Sequence, residues 1–174
     1  MDEQELKRKF KERVLAHNEL VNYFAKKVGE VYEGHDIDKL YDLNLYGYMY
    51  MMAPREILST AEKDALDRAT LTHVTHHYHH PEAWAHPDDL LGFTRINYTP
   101  NGPIHVERMP IGLHIVEMCA DWCATAKEYG NTPLEWFEQV NGHRWIFSLE
   151  QQDYIKATLK NMWFGEDNDV REWS

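Results

Sequence analysis

Six of the chain's eleven histidines fall in the fourteen residues from His73 to His86, in the run THVTHHYHHPEAWAH. Imidazole is the commonest metal ligand and titrates near neutral pH. So dense a run is either a metal site or a solvated helix end, where histidines favour the C-terminal dipole. A smaller signal, His35-Asp36 in GHDIDKL, lies upstream. Together they make a metal-dependent enzyme the leading reading.

Hydrophobic spacing places these stretches on helices. Val14, Val21, Phe24, Ala25 and Val28 recur at helical intervals, which predicts an amphipathic helix from about Glu3 to Val31 with His17 on its apolar face. His35 opens a second helical stretch. The Tyr- and Met-rich segment from 41 to 58 has no clean period and breaks at Pro54. Ser59-Thr60 caps a polar helix expected to run to about His80, where Pro81 stops it. From 86 to 110 the composition turns to Pro, Gly, Asn and Asp, predicting an irregular loop with a small hairpin at Pro100–Pro103, of a length often used for a lid. Helix resumes from Ile111 to Tyr129, closed by Gly130-Asn131; Thr132-Pro133 starts a short one, and Ser148 caps the last, ending near Trp163. The expectation is an all-α fold: one domain over 1–165 and an acidic, frayed tail over 166–174.

Composition narrows the partners. A formal net charge of −11 argues against binding along a nucleic-acid backbone, which needs clustered Lys and Arg, but not against a small phosphorylated substrate. No apolar run reaches the length of a membrane span, and the charged start MDEQELKRKFKER does not read as a signal peptide, so the expected location is cytoplasmic. Cys119 and Cys123, four apart on one helix face, read as reduced core thiols. Aromatics near Trp145 and Trp163 can form a homodimer face or pack the last helix.

His17, His35-Asp36 and Asp121 each lie on or at the start of a predicted helix. Asp121 is embedded in the mostly apolar IVEMCADWCATA, where a lone carboxylate is costly unless paired, protonated or metal-bound. Two His and two Asp converging inside a bundle offer nitrogen and oxygen ligands suited to Mn, Fe, Co, Zn or Mg.

The pattern V-x-x-H-x-x-x-V at 14–21, then HDIDK at 35–39, then a distant helical Asp, resembles the HD-domain metal-dependent phosphohydrolase superfamily. The blocks H-x5-HHPE at 73–82, EM-x-ADW at 117–122 and EWF at 135–137 are similar to a family found in phage and bacterial genomes. The resemblance implies an HD-domain-like helical bundle. It implies His17, His35, Asp36 and Asp121 as ligands of a primary divalent metal, with Asp36 able to bridge to a second. His79 and His80 match the adjacent His pair that adds ligands in binuclear members. His73, seven residues before His80 and so on the same helix face, is read as a ligand or phosphate contact. Lys39, three after Asp36, can neutralise a substrate phosphate. His77 departs from the pattern, where a polar amide is more usual, and receives no role. His86, His105, His114 and His143 are read as ordinary surface or core residues, and Trp84 and Trp122 as packing.

The implied chemistry is metal-assisted hydrolysis of a nucleotide or other small phosphate ester, with Asp36, Lys39 and His73 as the catalytic group and Arg95 and Arg108 covering the substrate from the 86–110 loop. One alternative is an HD-fold di-iron oxygenase; another is a non-catalytic nucleotide- or partner-binding protein. Histidine ligation predicts metal affinity that falls as pH drops through about 6.

Overall fold

A computed structural model describes residues 2–166; of the expected 166–174 tail, all but Glu166 lies outside the described residues. The fold is all-α. Among the described residues six α-helices carry it: α1 (Glu3–Lys26), α2 (Asp42–Tyr48), α3 (Thr60–His76), α4 (Leu113–Tyr129), α5 (Pro133–Val140) and α6 (Leu149–Phe164). Two-residue strands β1 (Ile104–His105) and β2 (Trp145–Ile146) pair in parallel. No described helix is long and apolar enough to cross a membrane.

Helix α1 packs along α4, which packs on α6, while α2 lies against α3. Two apolar clusters result, and α1 serves both. Leu6, Phe10 and Val14 join Tyr48, Met49, Leu66 and Ala69 in one; Val21, Phe24 and Ala25 join α4, α5 and α6 in the other. His17 falls at the seam between Val14 and Val21. On α3, His73 falls at the same seam, between Ala69 of the first cluster and Val74 of the second. Burying each Val, Leu or Phe contributes about 1.5–3 kcal/mol, so the two clusters hold the polar seam between firm walls.

The start signals act as read. Ser59 and Glu62 form a reciprocal capping box on α3, as do Thr132 and Glu135 on α5 and Ser148 and Gln151 on α6. Gly130, in the left-handed region at φ 74°, closes α4. Cys119 and Cys123 are buried free thiols.

Several boundaries differ from expectation. Helix α1 stops at Lys26 rather than Val31, because Gly29 turns at φ 83° and the Glu30 amide bonds back to the Ala25 carbonyl. His35 opens a turn rather than a helix, followed by a 3₁₀ turn over Ile37–Leu40. Most consequentially, α3 ends at His76, not near His80: His77 is extended, and the His80 amide folds back on the His77 carbonyl. His80 is extended ahead of Pro81, as a residue preceding proline favours.

The 86–110 stretch is irregular, yet it is built into the core. Phe93, Ile104, Val106 and Met109 are buried, and the Gln151 side-chain amide donates to the Met109 carbonyl at 2.6 Å. The expected hairpin at Pro100–Pro103 gives way to the parallel pairing with β2, since Pro103 offers no N–H beside the strand. Trp145 is buried and stacks on Trp122 at 5.6 Å, and the half-buried Trp163 stacks on Phe24 at 5.4 Å.

Candidate metal centre

The seam collects seven sequence-predicted ligands from five segments. His17 comes from α1, His35 and Asp36 from the turn before the 3₁₀ segment, His73 from α3, His79 and His80 from the turn after it, and Asp121 from α4. Their ligand atoms fall into two groups, His17/His35/Asp121 and Asp36/His73/His79/His80, each with all atoms within 4.8 Å of one another.

In the first lobe His17 Nε2 lies 2.9 Å from Asp121 Oδ1, and His35 Nε2 lies 3.9 Å from the same oxygen. In the second, His73 Nε2 lies 3.0 Å from Asp36 Oδ1 and 2.9 Å from His80 Nε2. His79 Nε2 is 3.8 Å from Asp36 Oδ1. Asp36 therefore faces both lobes, Oδ1 toward the second and Oδ2 toward His35 Nε2 at 3.7 Å. Metal–ligand bonds of about 2.1 Å put neighbouring ligands about 3.0–3.4 Å apart, so these separations suit atoms gathered around an ion.

His73 and His80 meet for a different reason from the one expected. They do not share a helix face; the chain leaves the helix after His76 and turns His80 back over His73. Asp36 also reaches the centre through its backbone. At φ 57° and ψ 10° it occupies the left-handed region, which Asp tolerates better than most residues but at a cost of order 1–3 kcal/mol.

The partners of the other ring nitrogens decide what the Nε2 atoms do. Glu117 Oε1, on α4, accepts from His35 Nδ1 at 3.0 Å and lies 3.3 Å from His79 Nδ1. Asp38 Oδ2 accepts from His73 Nδ1 at 2.8 Å, and Glu128 Oε1 lies 3.2 Å from His17 Nδ1. Four imidazoles thus turn Nδ1 toward a carboxylate and Nε2 inward, the arrangement that fixes tautomer and orientation in metal-ligating histidines. His35 Nε2, His79 Nε2 and Asp36 Oδ1 are buried without a hydrogen-bond partner; Asp36 Oδ1, although close to His73 Nε2, has no aligned donor. Buried polar atoms are seldom left so. This donor set fits a divalent cation.

Charge leads to the same result. Asp36, Asp38, Glu117, Asp121 and Glu128 surround the imidazoles, against the single ammonium of Lys39. Burial opposes the charge on Asp36, but Lys39, His35 and His73 hold its carboxyl well below the usual range. Burial likewise works against protonated His17, yet Asp121 and Glu128 outweigh it and raise its pKa to about 10. His35 is raised in the same way against burial, through Asp36, Glu117 and Asp121. Burial and the neighbouring His35 lower His79 to about 4, and burial with His79 and His73 lowers His80 well below its ordinary value. The first lobe therefore holds protons that a metal must displace, and two imidazoles of the second are already neutral.

A cleft of about 210 Å³ opens beside the first lobe, with His17, Asp36, Asp121, Lys39, Arg13 and Thr125 in its wall. Lys39 bonds Asp36 Oδ2 and sits 5.3 Å over the Tyr48 ring, so its charge is fixed at the cleft edge. Arg108 turns away and donates to the Trp84 carbonyl at 2.8 Å. His86, His105 and His143 are exposed, while His114 packs against Tyr78 and Trp84.

Sequence reasoning missed Glu117, Asp38 and Glu128, the carboxylates that aim the rings. Helical spacing held a signal for two of them: Glu117 and Glu128 lie four before and seven after Asp121, on its face of α4. His77, left without a role, lies 3.2 Å from Asp38 Oδ2 and stacks on His73 with ring centres 4.4 Å apart.

A family model described as a family of unknown function (DUF5662) matches residues 6–162. The chain belongs to that family. Comparison with curated proteins and with solved structures found no match. The DUF5662 match runs from α1 into α6 and takes in both lobes, so the candidate metal centre sits within the matched residues.

Proposed function

We propose that the chain is a metal-dependent phosphohydrolase of the HD type, acting on a nucleotide or other small phosphate ester. One observation carries the reading: inward Nε2 atoms backed by carboxylates on Nδ1, around buried donors that lack partners, beside a cleft edged by Lys39 and Arg13. His17, His35 and Asp121 would hold one divalent ion, and His73, His79 and His80 a second, with Asp36 between them. Such an ion, Mn, Co, Fe, Zn or Mg, supplies Lewis-acid chemistry, lowering the pKa of water and drawing charge from a phosphoryl oxygen.

The protein groups supply the rest. Lys39 and Arg13 bind the phosphoryl oxygens and offset charge as it builds in the transition state. Asp36, charged by virtue of Lys39 and the histidines, keeps both lobes in register. Phe10, Val14 and Met51 give the cleft an apolar wall, which orients the ester and limits water around the cations. A three-histidine second lobe suits redox metals as well, and favours a di-iron oxygenase as the alternative.

Elemental analysis of the protein purified without chelator, followed by a phosphate-ester screen with added Mn, Co, Mg and Zn, tests the proposal. One or two equivalents of metal and turnover, both lost in Asp36→Ala and Asp121→Ala, is the expected result. Turnover that persists in these variants with their fold intact would overturn it, as would failure to take up any metal on reconstitution. Two irons with oxygen-dependent turnover, and none with Mg or Zn, would establish the alternative.

A further inference from the structure

A second cleft, of about 320 Å³, adjoins the metal cleft and shares Arg13 and Met51 with it as wall residues. Its wall presents three guanidinium groups, Arg13, Arg55 and Arg95, with Tyr50 and Tyr129, and holds no carboxylate among the described residues. In a chain with 29 acidic and 18 basic residues, that local balance runs against the composition. We propose that this cleft binds a second phosphate of the substrate, so that the substrate carries at least two phosphate groups; the proposal rests on the phosphohydrolase reading for the group that is cleaved.

The guanidinium groups are held in place without being used up. Arg55 gives two N–H groups to Asp67, at 3.2 and 3.0 Å. Arg13 gives one to the Tyr129 hydroxyl at 3.0 Å, and Arg95 one to Thr70 Oγ1 at 3.4 Å. Each guanidinium carries five N–H donors, so most remain for a ligand. Asp67 also accepts from the Arg95 backbone amide at 2.9 Å, so one carboxylate fixes the segments that carry Arg55 and Arg95. That anchor runs through the Arg95 backbone, and the loop is pinned without its guanidinium. Planar, pre-positioned guanidinium groups recognise phosphate through paired N–H donors. Arg13 lies one helical turn before His17 on the same face of α1, which joins the arginine cleft to the metal lobe.

Calorimetric titration of the full chain with inorganic pyrophosphate tests this, once with excess chelator and once with Mn. Pyrophosphate should bind in the presence of chelator. Arg13→Gln and Arg95→Gln should each weaken it at least tenfold, and Arg108→Gln, outside both clefts, should leave it unchanged. In turnover, Arg95→Gln should raise KM at least tenfold for a nucleoside diphosphate and not for the monophosphate. Arginine variants that keep the wild-type Tm and bind pyrophosphate as tightly as wild type would overturn the subsite. So would binding seen only with metal, because the ions alone would then hold the anion. Should Arg95→Gln unfold, the same comparison on Arg55→Gln, which lines this cleft and not the metal cleft, decides. Failure of the phosphohydrolase reading is distinct: pyrophosphate binds and responds to the arginines, no ester is turned over with any metal, and the anion site stands.

Discussion

Glu117 lines neither cleft, yet its carboxylate meets two candidate ligand rings at once. Its Oε1 serves His35 Nδ1 at 3.0 Å and His79 Nδ1 at 3.3 Å, one ring from each lobe. Glu117→Gln keeps the shape and an acceptor oxygen but removes the charge. A hydrogen bond to a charged group contributes about 1.5–3 kcal/mol, against about 0.5–1.5 for a neutral one. Two contacts weakened by about 1 kcal/mol each cost about 2 kcal/mol of orientation and ligand basicity. At 1.4 kcal/mol per factor of ten, metal affinity should fall about 30-fold, inside the range for partners that orient metal-ligating histidines. Competition with a chromophoric chelator measures the affinity, and elemental analysis of the saturated variant measures stoichiometry. Weaker binding at unchanged stoichiometry is expected. Affinity within about threefold of wild type would refute the orienting role. Loss of one whole equivalent would show that Glu117 ligates the metal directly.

The pH window for metal binding moves upward from the one that free imidazole suggests. His17 is held protonated to about pH 10, so metal must displace its proton throughout the neutral range. Apparent affinity at the first lobe should climb between pH 6 and 9, by up to about tenfold per pH unit for each proton displaced, and calorimetry in buffers of different ionisation enthalpy should count at least one proton released at pH 7. His79, lowered to about 4, should contribute none; release of no protons at all would contradict the charge balance drawn for His17 and Asp121. Gly47→Ala tests the scaffold: its Cβ would fall 2.5 Å from Ala69 Cβ and 2.6 Å from the Ala65 carbonyl oxygen, where α2 crosses α3. Overpacking of about 1–3 kcal/mol should lower Tm by several degrees and weaken metal binding through His73 on α3. An unchanged Tm would mean that the two helices part more readily than their packing implies.

The starts of α3, α5 and α6 were legible because they rest on local chemistry, whereas α2 (Asp42–Tyr48) falls in the stretch that shows no clean period. Ser59, Thr132 and Ser148 announce α3, α5 and α6 by side-chain capping, which needs only the next three residues. The apolar spacing around His17 also placed that ring correctly, since a side chain between Val14 and Val21 must point where they point. The residues that gather at the seam were legible as a set for a related reason: an ionisable group on an apolar helix face has few states it can occupy in the interior.

What stayed hidden depends on distance through space. The run from His73 to His80 reads as continuous helix, because histidine neither breaks nor strongly favours one and Pro81 marks only the latest point at which it can stop. The actual end at His76 follows from what the turn achieves, bringing His80 Nε2 to 2.9 Å from His73 Nε2 and His79 to Asp36. The same limit separates ligating from orienting carboxylates. Asp36 and Asp38 are two residues apart in one motif, yet Asp36 meets His73 at Nε2 and Asp38 meets the same ring at Nδ1. Sequence spacing cannot divide those roles. Which nitrogen of a ring a carboxylate meets depends on ring rotation, and the groups that hold that rotation come from other segments: Glu117 on α4 meets His35 and His79, Glu128 on α4 meets His17, and Asp38 meets His73. The carboxylates that aim the rings are therefore a product of how α4 and the turn at Asp38 pack around the seam, which no spacing within one segment records.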